Sequence, residues 1–195
     1  MNVEAEILKL ARLLGCEPEQ LAYLEAVPAN DLRTVREQIT ETLFTAHEAR
    51  LRRMAIASRL LPTGLVASLG QRTFGAMLSA RIAGLLDVDR AVEIGGKMPT
   101  EFLADVAIEL DPRRASEVIA AIPPRRIHEI TAELARREEY VTMGRFVGHL
   151  SDDALSAALD ALDDEALSKT MFVTEDPIDD EKLRRLAGAR MEALG

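Results

Sequence analysis

The chain repeats a short pattern of residues at an offset of 24 positions. The pattern Leu-Asp-x-x-Arg-Ala occupies residues 86–91 and returns at residues 110–115, and the apolar positions that follow keep the same spacing. A third copy is stretched by four residues and runs to residue 173. Each copy can form two helices of about two to three turns, which are marginal in water on their own. The repeat therefore predicts a solenoid-like, all-α array in which neighbouring copies bury one another's apolar faces.

The apolar positions of the second copy define the expected core of this array. Their spacing is that of the buried face of short helices. We expect one continuous buried stripe formed by Leu110, Val118, Ile122, Ile127, Ile130 and Leu134. The glycines that precede the repeats are expected where helices approach closely, at Gly64, Gly70, Gly75 and Gly84.

The same residues resemble a known family. The phrase Leu110-Asp111-Pro112, followed by apolar positions through Ile122-Pro123-Pro124 to Leu134, is similar to the N-terminal cytoplasmic domain of MgtE magnesium transporters and to parts of the flagellar switch protein FliG. The likeness covers roughly residues 60–173. It implies a right-handed superhelix of short helices. The CBS pair and the membrane bundle that follow this domain in the transporters are not found in this sequence, so we do not expect the chain to transport magnesium by itself.

The chain divides into three segments. Residues 1–60 form an N-terminal helical segment, in which residues 31–60 contain neither Gly nor Pro and predict one long helix. Residues 61–173 form the MgtE-N-like array. Residues 174–195 form a last helix, from about residue 178 to 194, whose acidic first turn and basic later turns suit the helix dipole and which we expect to cap the array.

The long helix is a candidate arm for self-association or for a protein partner, because short repeat helices cannot cover its full length. Four arginines interrupt its apolar positions at Arg50, Arg52, Arg53 and Arg59. On a helical wheel Arg50 lies roughly opposite Arg52 and Arg59, so these side chains do not form one stripe. We interpret them as solvated or ion-paired.

Helix starts are marked by side chains that accept hydrogen bonds from free first-turn amides. Asp111 before Pro112, Ser151 and Asp163 are expected N-caps. Most acidic residues near these positions therefore have a structural role.

Composition restricts the function classes. The formal net charge is −9, and residues 149–195 hold 5 basic and 12 acidic side chains. That acidic quarter and the scarcity of aromatic residues argue against nucleic-acid binding. No stretch is apolar for long enough to span a membrane and no export signal is visible, so we expect a cytoplasmic location without membrane insertion. The single cysteine, Cys16, fits that compartment.

No motif supports an enzyme or a cofactor. Gly95-Gly96-Lys97 is followed by Met98-Pro99, where a phosphate-binding loop needs a hydroxyl residue. His47, His128 and His149 do not share a metal-binding spacing. We therefore expect no catalytic residues and no resident cofactor.

Magnesium is the one ligand that the sequence suggests, and we expect its binding to be weak. Residues 152–181 hold eleven acidic side chains, and after helix caps are set aside the least explained are Asp176, Asp179 and Asp180. Because magnesium keeps most of its water, such a site is expected to be shallow and millimolar at best. The sequence thus favours a non-enzymatic protein-interaction or scaffold module, and the alternative is a magnesium-responsive regulatory domain similar to the MgtE N domain.

Overall fold

The computed structural model describes residues 2–45, 48–174 and 177–188, and residues 42–45, 48 and 177–180 are described by their backbone only. These residues form thirteen α-helices and short 3-10 and π segments, with no strand among them. The predicted all-α fold is confirmed. The first helices are α1 (Val3–Leu14), α2 (Ala29–Thr45), α3 (Glu48–Ser58), α4 (Thr63–Leu69), α5 (Gly75–Ala83) and α6 (Val88–Gly96). The others are α7 (Thr100–Glu109), α8 (Ser116–Ala121), α9 (Pro124–Arg136), α10 (Tyr140–Phe146), α11 (Asp152–Asp160), α12 (Asp164–Val173) and α13 (Pro177–Ala187). None of the described helices combines the length and the apolar character needed to cross a bilayer.

The N-terminal helices have a small core of their own. Asn2 accepts from the Glu4 amide at the start of α1, and Gly15 ends that helix in the left-handed conformation at φ 66°. Apolar residues of α1, of the 3-10 helix Pro18–Leu24 and of α2 form one cluster around Leu10 and Leu21. A buried ionic group crosses from α1 to α2, because Glu6 accepts from Lys9 at 3.0 Å and from Arg36 at 3.2 Å.

The predicted long helix at residues 31–60 corresponds to two described helices. Backbone in helical conformation runs from Ala29 to Thr45 and again from Glu48 to Ser58, and residues 46 and 47 lie outside the described residues. The predicted start at Asp31 is two residues late, because α2 begins at Ala29, and the predicted end at Leu60 lies two residues beyond Ser58. A single unbroken helix stays a prediction.

The remaining helices pack in two rows. In the odd row, α3 packs on α5, α5 on α7, α7 on α9, α9 on α11 and α11 on α13. In the even row, α4 packs on α6 and α6 on α8; α8 packs on the 3-10 helix Val147–His149 that extends α10, and α10 packs on α12. Chain order therefore alternates between the rows, and α7 and α9 begin 24 residues apart.

The core of the array confirms most of the expected stripe. Leu110, Ile127, Ile130 and Leu134 are buried in the main hydrophobic cluster, and Ile122 packs against it. Val118 is only half-buried and does not belong to that cluster. Its place is taken by Ile119, one residue further along α8, which is fully buried.

Two glycines allow close approach between helices. A Cβ atom on Gly84 would lie 3.0 Å from the Arg114 carbonyl oxygen, and one on Gly144 would lie 2.8 Å from Val173 Cγ2. Close approach was predicted for Gly84 and for Gly70, where a Cβ would meet Met98 at 2.9 Å. The expectation of close approach is wrong for Gly64 and Gly75, because no atom lies within 4 Å of a Cβ placed on either residue.

Two of the three expected N-caps are confirmed. Ser151 Oγ accepts from the Ala154 amide at 3.3 Å, and Asp163 Oδ1 accepts from the Ala166 amide at 2.8 Å. The expectation for Asp111 is wrong because a turn separates it from α8, which begins at Ser116. Asp111 instead accepts from the Arg113 amide and from the Arg113 guanidinium.

Basic side chains seal the breaks between helices. Each donates to a backbone carbonyl about 30 residues earlier, at or just beyond a helix end: Arg90 to Ser58 and Leu61, Arg126 to Met98, Arg145 to Leu110 and Lys182 to Leu150. Such contacts satisfy carbonyls that have no partner within their own helix.

The last helix covers the end of the odd row. Leu183 of α13 is 1% exposed within the main cluster, and Arg185 donates to Asp152 at 2.7 Å. The helix is described to Ala187 and is followed by a turn at Gly188, so the predicted residues 189–194 lie outside the described residues.

Candidate docking surface

The three predicted magnesium ligands fall where the structure describes no side chain. Asp176 lies outside the described residues, and Asp179 and Asp180 are described only as backbone in the first turn of α13. Among the residues with described side chains, no group of three or more His, Cys, Asp or Glu could hold a metal ion. The magnesium site therefore stays a prediction.

Other acidic residues of this region have structural partners. Asp152 pairs with Lys182 at 3.4 Å and with Arg185, and Glu165 pairs with Lys169 at 2.7 Å. Asp163 caps α12. These contacts support the interpretation of most acids near residues 152–165 as caps and ion-pair partners.

His128, His149 and Cys16 lie on separate elements of the described structure. His128 contacts the Ala157 carbonyl oxygen through Nδ1 at 3.0 Å, and Cys16 is half-buried beside the N-terminal cluster. His149 lies on the 3-10 helix after α10, and His47 lies outside the described residues.

The opposite end of the array carries exposed apolar side chains close together in the chain. They lie on α3, the following turn, α4 and α5, at Ile56, Leu60, Leu61, Leu65 and Met77. Leu60 is 87% exposed, which is extreme for a leucine. Because α3 and α4 are the first helices of their rows, these side chains lie at one end of the array. Apolar groups gathered in this way mark contact sites more often than single exposed leucines do.

Arginines accompany these apolar residues and no acid does. Residues 49–86 contain six arginines and neither Asp nor Glu, whereas the rest of the chain holds 18 basic and 33 acidic side chains. The exposed arginines of this stretch are Arg50, Arg52, Arg53, Arg59 and Arg72. We call these arginines, together with the five exposed apolar residues, the basic-apolar surface.

The four arginines of α3 and the following turn are all exposed, which agrees with their expected role as solvated or ion-paired side chains. Arg59 donates to Asp87 at 2.7 Å, just beyond the acid-free stretch, and Arg53 donates to the Ala49 carbonyl of its own helix. Arg72 makes no ion pair with any described residue. Counting charges over residues 49–86, instead of over the long helix alone, would have revealed this surface from the sequence.

Elsewhere in the array, arginines and carboxylates are closely paired. Hydrogen bonds from Arg136 and then Arg137 lower the pKa of Glu133 to about 2. Hydrogen bonds from Arg126 and Arg125 lower the pKa of Glu129, and those from Lys97 and Thr63 lower the pKa of Glu93. By contrast, residues 49–86 supply no carboxylate of their own to pair with their six arginines.

The expected contact strip along residues 31–60 can be followed only where side chains are described. Met54 is half-buried against the cluster of Leu51, Ala55 and Ile82, so it is not part of an exposed strip. The side chain of Leu43 lies outside the described residues. The exposed large apolar residues with described side chains in this range are Val35 on α2, Ile56 on α3 and Leu60, and exposed apolar area continues past the end of α3.

A large apolar cavity lies among residues of both rows. Its volume is about 790 Å³, and lining residues come from α3 at one end to α13 at the other. Several half-buried liners do not belong to the hydrophobic clusters, among them Val66, Val92, Met98 and Val118. The volume is within the range of small-molecule sites, roughly 300–1,000 Å³.

Comparison with known proteins yields no match to a family model, to a curated protein or to a solved structure.

Proposed function

We propose that the chain is a non-enzymatic interaction module that docks an acidic, amphipathic helix of a protein partner on the basic-apolar surface. The observation that carries this proposal is the coincidence of exposed apolar residues with an acid-free run of arginines at one end of the array. Partner helices commonly dock by an apolar face, and charge complementarity selects among them.

The chemistry of the surface supports a protein partner over other classes. Nucleic acid is disfavoured because the rest of the chain carries a formal net charge of −15 and because base stacking needs exposed aromatic residues. The aromatic side chain within residues 49–86, Phe74, is half-buried. An anionic membrane surface and a second copy of this chain are the competing occupants, and the experiment below separates them.

The arrangement we propose for the whole array is a right-handed superhelix like that of MgtE N domains. Support comes from the 24-residue offset between α7 and α9 and from the order in which helices follow one another within each row. An array of this kind has two ends, and an end that no helix of its own chain covers is a natural place for a partner.

Paired variants that introduce negative charge test the docking surface. Leu60→Glu with Leu65→Glu places acids among the arginines, and Leu14→Glu with Tyr23→Glu makes the same change at exposed apolar residues of the N-terminal segment. Affinity capture from native lysate should recover an acidic partner with the parent and with the N-terminal variant, and lose it with the Leu60 and Leu65 variant. Recovery should also fall as salt is raised.

Two controls identify the competing occupants. If the parent floats with phosphatidylglycerol vesicles and the Leu60 and Leu65 variant does not, the occupant of the surface is an anionic membrane and not a protein. Light scattering that shows a dimer of the purified parent, but not of that variant, would replace the protein partner by a second copy. Equal capture by all variants would contradict the proposal.

A further inference from the structure

The cavity between the helix rows shares Leu61 with the basic-apolar surface, but its other lining residues lie outside that surface and give it a chemistry of its own. The charged lining residues are Glu93, Lys97 and Arg126, and we call the part of the cavity that they line the polar level. All other lining residues are apolar, glycine or hydroxyl-bearing. A ligand matching this lining has a long apolar chain and one polar end.

The polar level is also a place where the cavity reaches solvent. Lys97, Gly96 and Pro123 are exposed cavity-lining residues, whereas most liners from α11 to α13 are buried. A polar end group at this level therefore stays near water while the chain extends among the apolar liners. Such an arrangement avoids the cost of burying a polar group without a partner.

Cationic groups at this level indicate the sign of the end group. Arg126 donates to Thr100 at 2.8 Å and to Glu129 at 2.7 Å, and it also donates to the Met98 carbonyl. Its Nε atom is buried and has no hydrogen-bond partner among the described residues. Lys97 lies on the same rim, paired with Glu93 at 2.8 Å. An unsatisfied guanidinium N–H beside an apolar cavity fits an anionic acceptor.

We propose that the cavity binds a long-chain anionic lipid, with its acyl chain between the two helix rows and its anionic group at Arg126 and Lys97. The shared chemistry is a long acyl chain joined to an anionic group, and its source is either a free fatty acid with one chain or a phospholipid with two. This inference does not depend on the proposed docking surface, because Arg126 and Lys97, which hold the anionic group, lie outside that surface.

A binding titration of the full chain with oleate, below its micelle concentration, tests the proposal. Oleate should bind saturably, and methyl oleate, which lacks the charge, should bind at least about tenfold more weakly because a charge-assisted contact is lost. Absence of saturable binding, or equal affinity for the acid and the ester, would overturn the proposal.

Matched variants locate the site. Val118→Trp fills the cavity from α8, while Ala120→Trp adds the same ring at an exposed position of that helix. Oleate affinity should fall at least about tenfold in the first and stay unchanged in the second. Equal loss in both variants would place binding outside the cavity.

The anionic contact has a natural control in the neighbouring arginine. Arg125 and Arg126 both contact Glu129, but their side chains are 92% and 21% exposed. Arg126→Gln should weaken oleate binding and leave methyl oleate unaffected, whereas Arg125→Gln should alter neither. Weaker binding of both ligands to the Arg126 variant would contradict the assigned contact.

Native mass spectrometry separates the two sources. After separate incubation with oleate and with vesicles of dioleoylphosphatidylglycerol, the added mass should be that of the fatty acid or of the phospholipid. It should be absent from the Val118→Trp variant in both cases. A mass that persists in this variant would remove the cavity as the site.

Discussion

The two ends of the helix array differ in what covers them. At the C-terminal end, α13 packs on α11 and Leu183 is 1% exposed. At the N-terminal end, Leu60 is 87% exposed, and residues 49–86 contain six arginines and no acid. A helix array needs its apolar ends covered for solubility. The chain's own α13 covers one end, and the other end is where we propose that a partner docks.

The difference in coverage between the two ends is tested most directly by placing an acid at each end. Leu183→Asp buries an unpaired charge and should lower the free energy of unfolding by about 3 kcal/mol or more. Leu60→Asp changes an exposed residue beside arginines and should alter it by less than about 0.5 kcal/mol. Chemical denaturation of both variants measures the difference. Similar losses would show that the two ends are equally covered.

A second contrast uses a glycine from each end. Gly144→Ala forces a Cβ against Val173 and the Thr170 carbonyl, where α10 packs on α12, and should cost about 1–3 kcal/mol. Gly64→Ala on α4 meets no atom within 4 Å and should stabilise the fold by about 0.4–1 kcal/mol, because alanine reduces the freedom of the unfolded chain. Opposite shifts in melting temperature are expected, and shifts of the same sign would contradict the packing.

Acid should weaken the interior of the array through its paired carboxylates. The folded-state pKa of Glu133 is about 2, below its ordinary value of 4.5, so its contribution to stability is present above pH 4.5 and is lost as the pH falls towards 2. The effect of one exposed pair is small. Denaturation at several pH values should show a shallower acid dependence for Glu133→Gln than for the parent.

Acid also distinguishes the two ends, because residues 49–86 contain no carboxylate to titrate. Any loss of partner binding between pH 5 and pH 3 should therefore follow the pKa of the partner's acids, near their ordinary value of about 4. A parallel loss in Glu133→Gln and in the parent is expected. If partner binding resisted acid in Glu133→Gln but not in the parent, this assignment would be contradicted.

Magnesium should have the smallest effect, at the acidic C-terminal end. For a millimolar site occupied at a concentration equal to its Kd, the stabilisation is only about 0.4 kcal/mol. Calorimetry should show weak, diffuse binding. Tight saturable binding that disappears in Asp179→Asn with Asp180→Asn would favour the magnesium-responsive regulator over the interaction module.

Much of the local structure could be predicted because it depends on nearby residues. The stop at Gly15, the caps at Ser151 and Asp163 and the buried positions Ile127 and Leu134 follow from spacing and from side-chain chemistry. Asp111 was misjudged because its carboxylate engages Arg113 and leaves α8 to begin at Ser116. A short acceptor side chain can serve either a helix or a turn, and local sequence does not distinguish them.

The candidate surface was missed for a different reason. On a helical wheel, Arg50 lies opposite Arg59, which argued against a basic stripe on one helix. The basic surface instead combines arginines from α3 to α5, which the fold places at one end of the array. Arg126 was not singled out, since its buried Nε and its bond to the Met98 carbonyl depend on helices that meet 28 residues apart.

The sequence by itself determined that the chain is helical, where most helices lie and which residues face the core, because these follow from periodicity, caps and breakers. Only the tertiary structure decided which end is covered, that Val118 is half-buried while Ile119 is fully buried, and which carbonyls the arginines satisfy. The physical reason is range: a helix depends on neighbours three and four positions away, whereas exposure and cavities depend on contacts about 30 residues apart that no local pattern specifies.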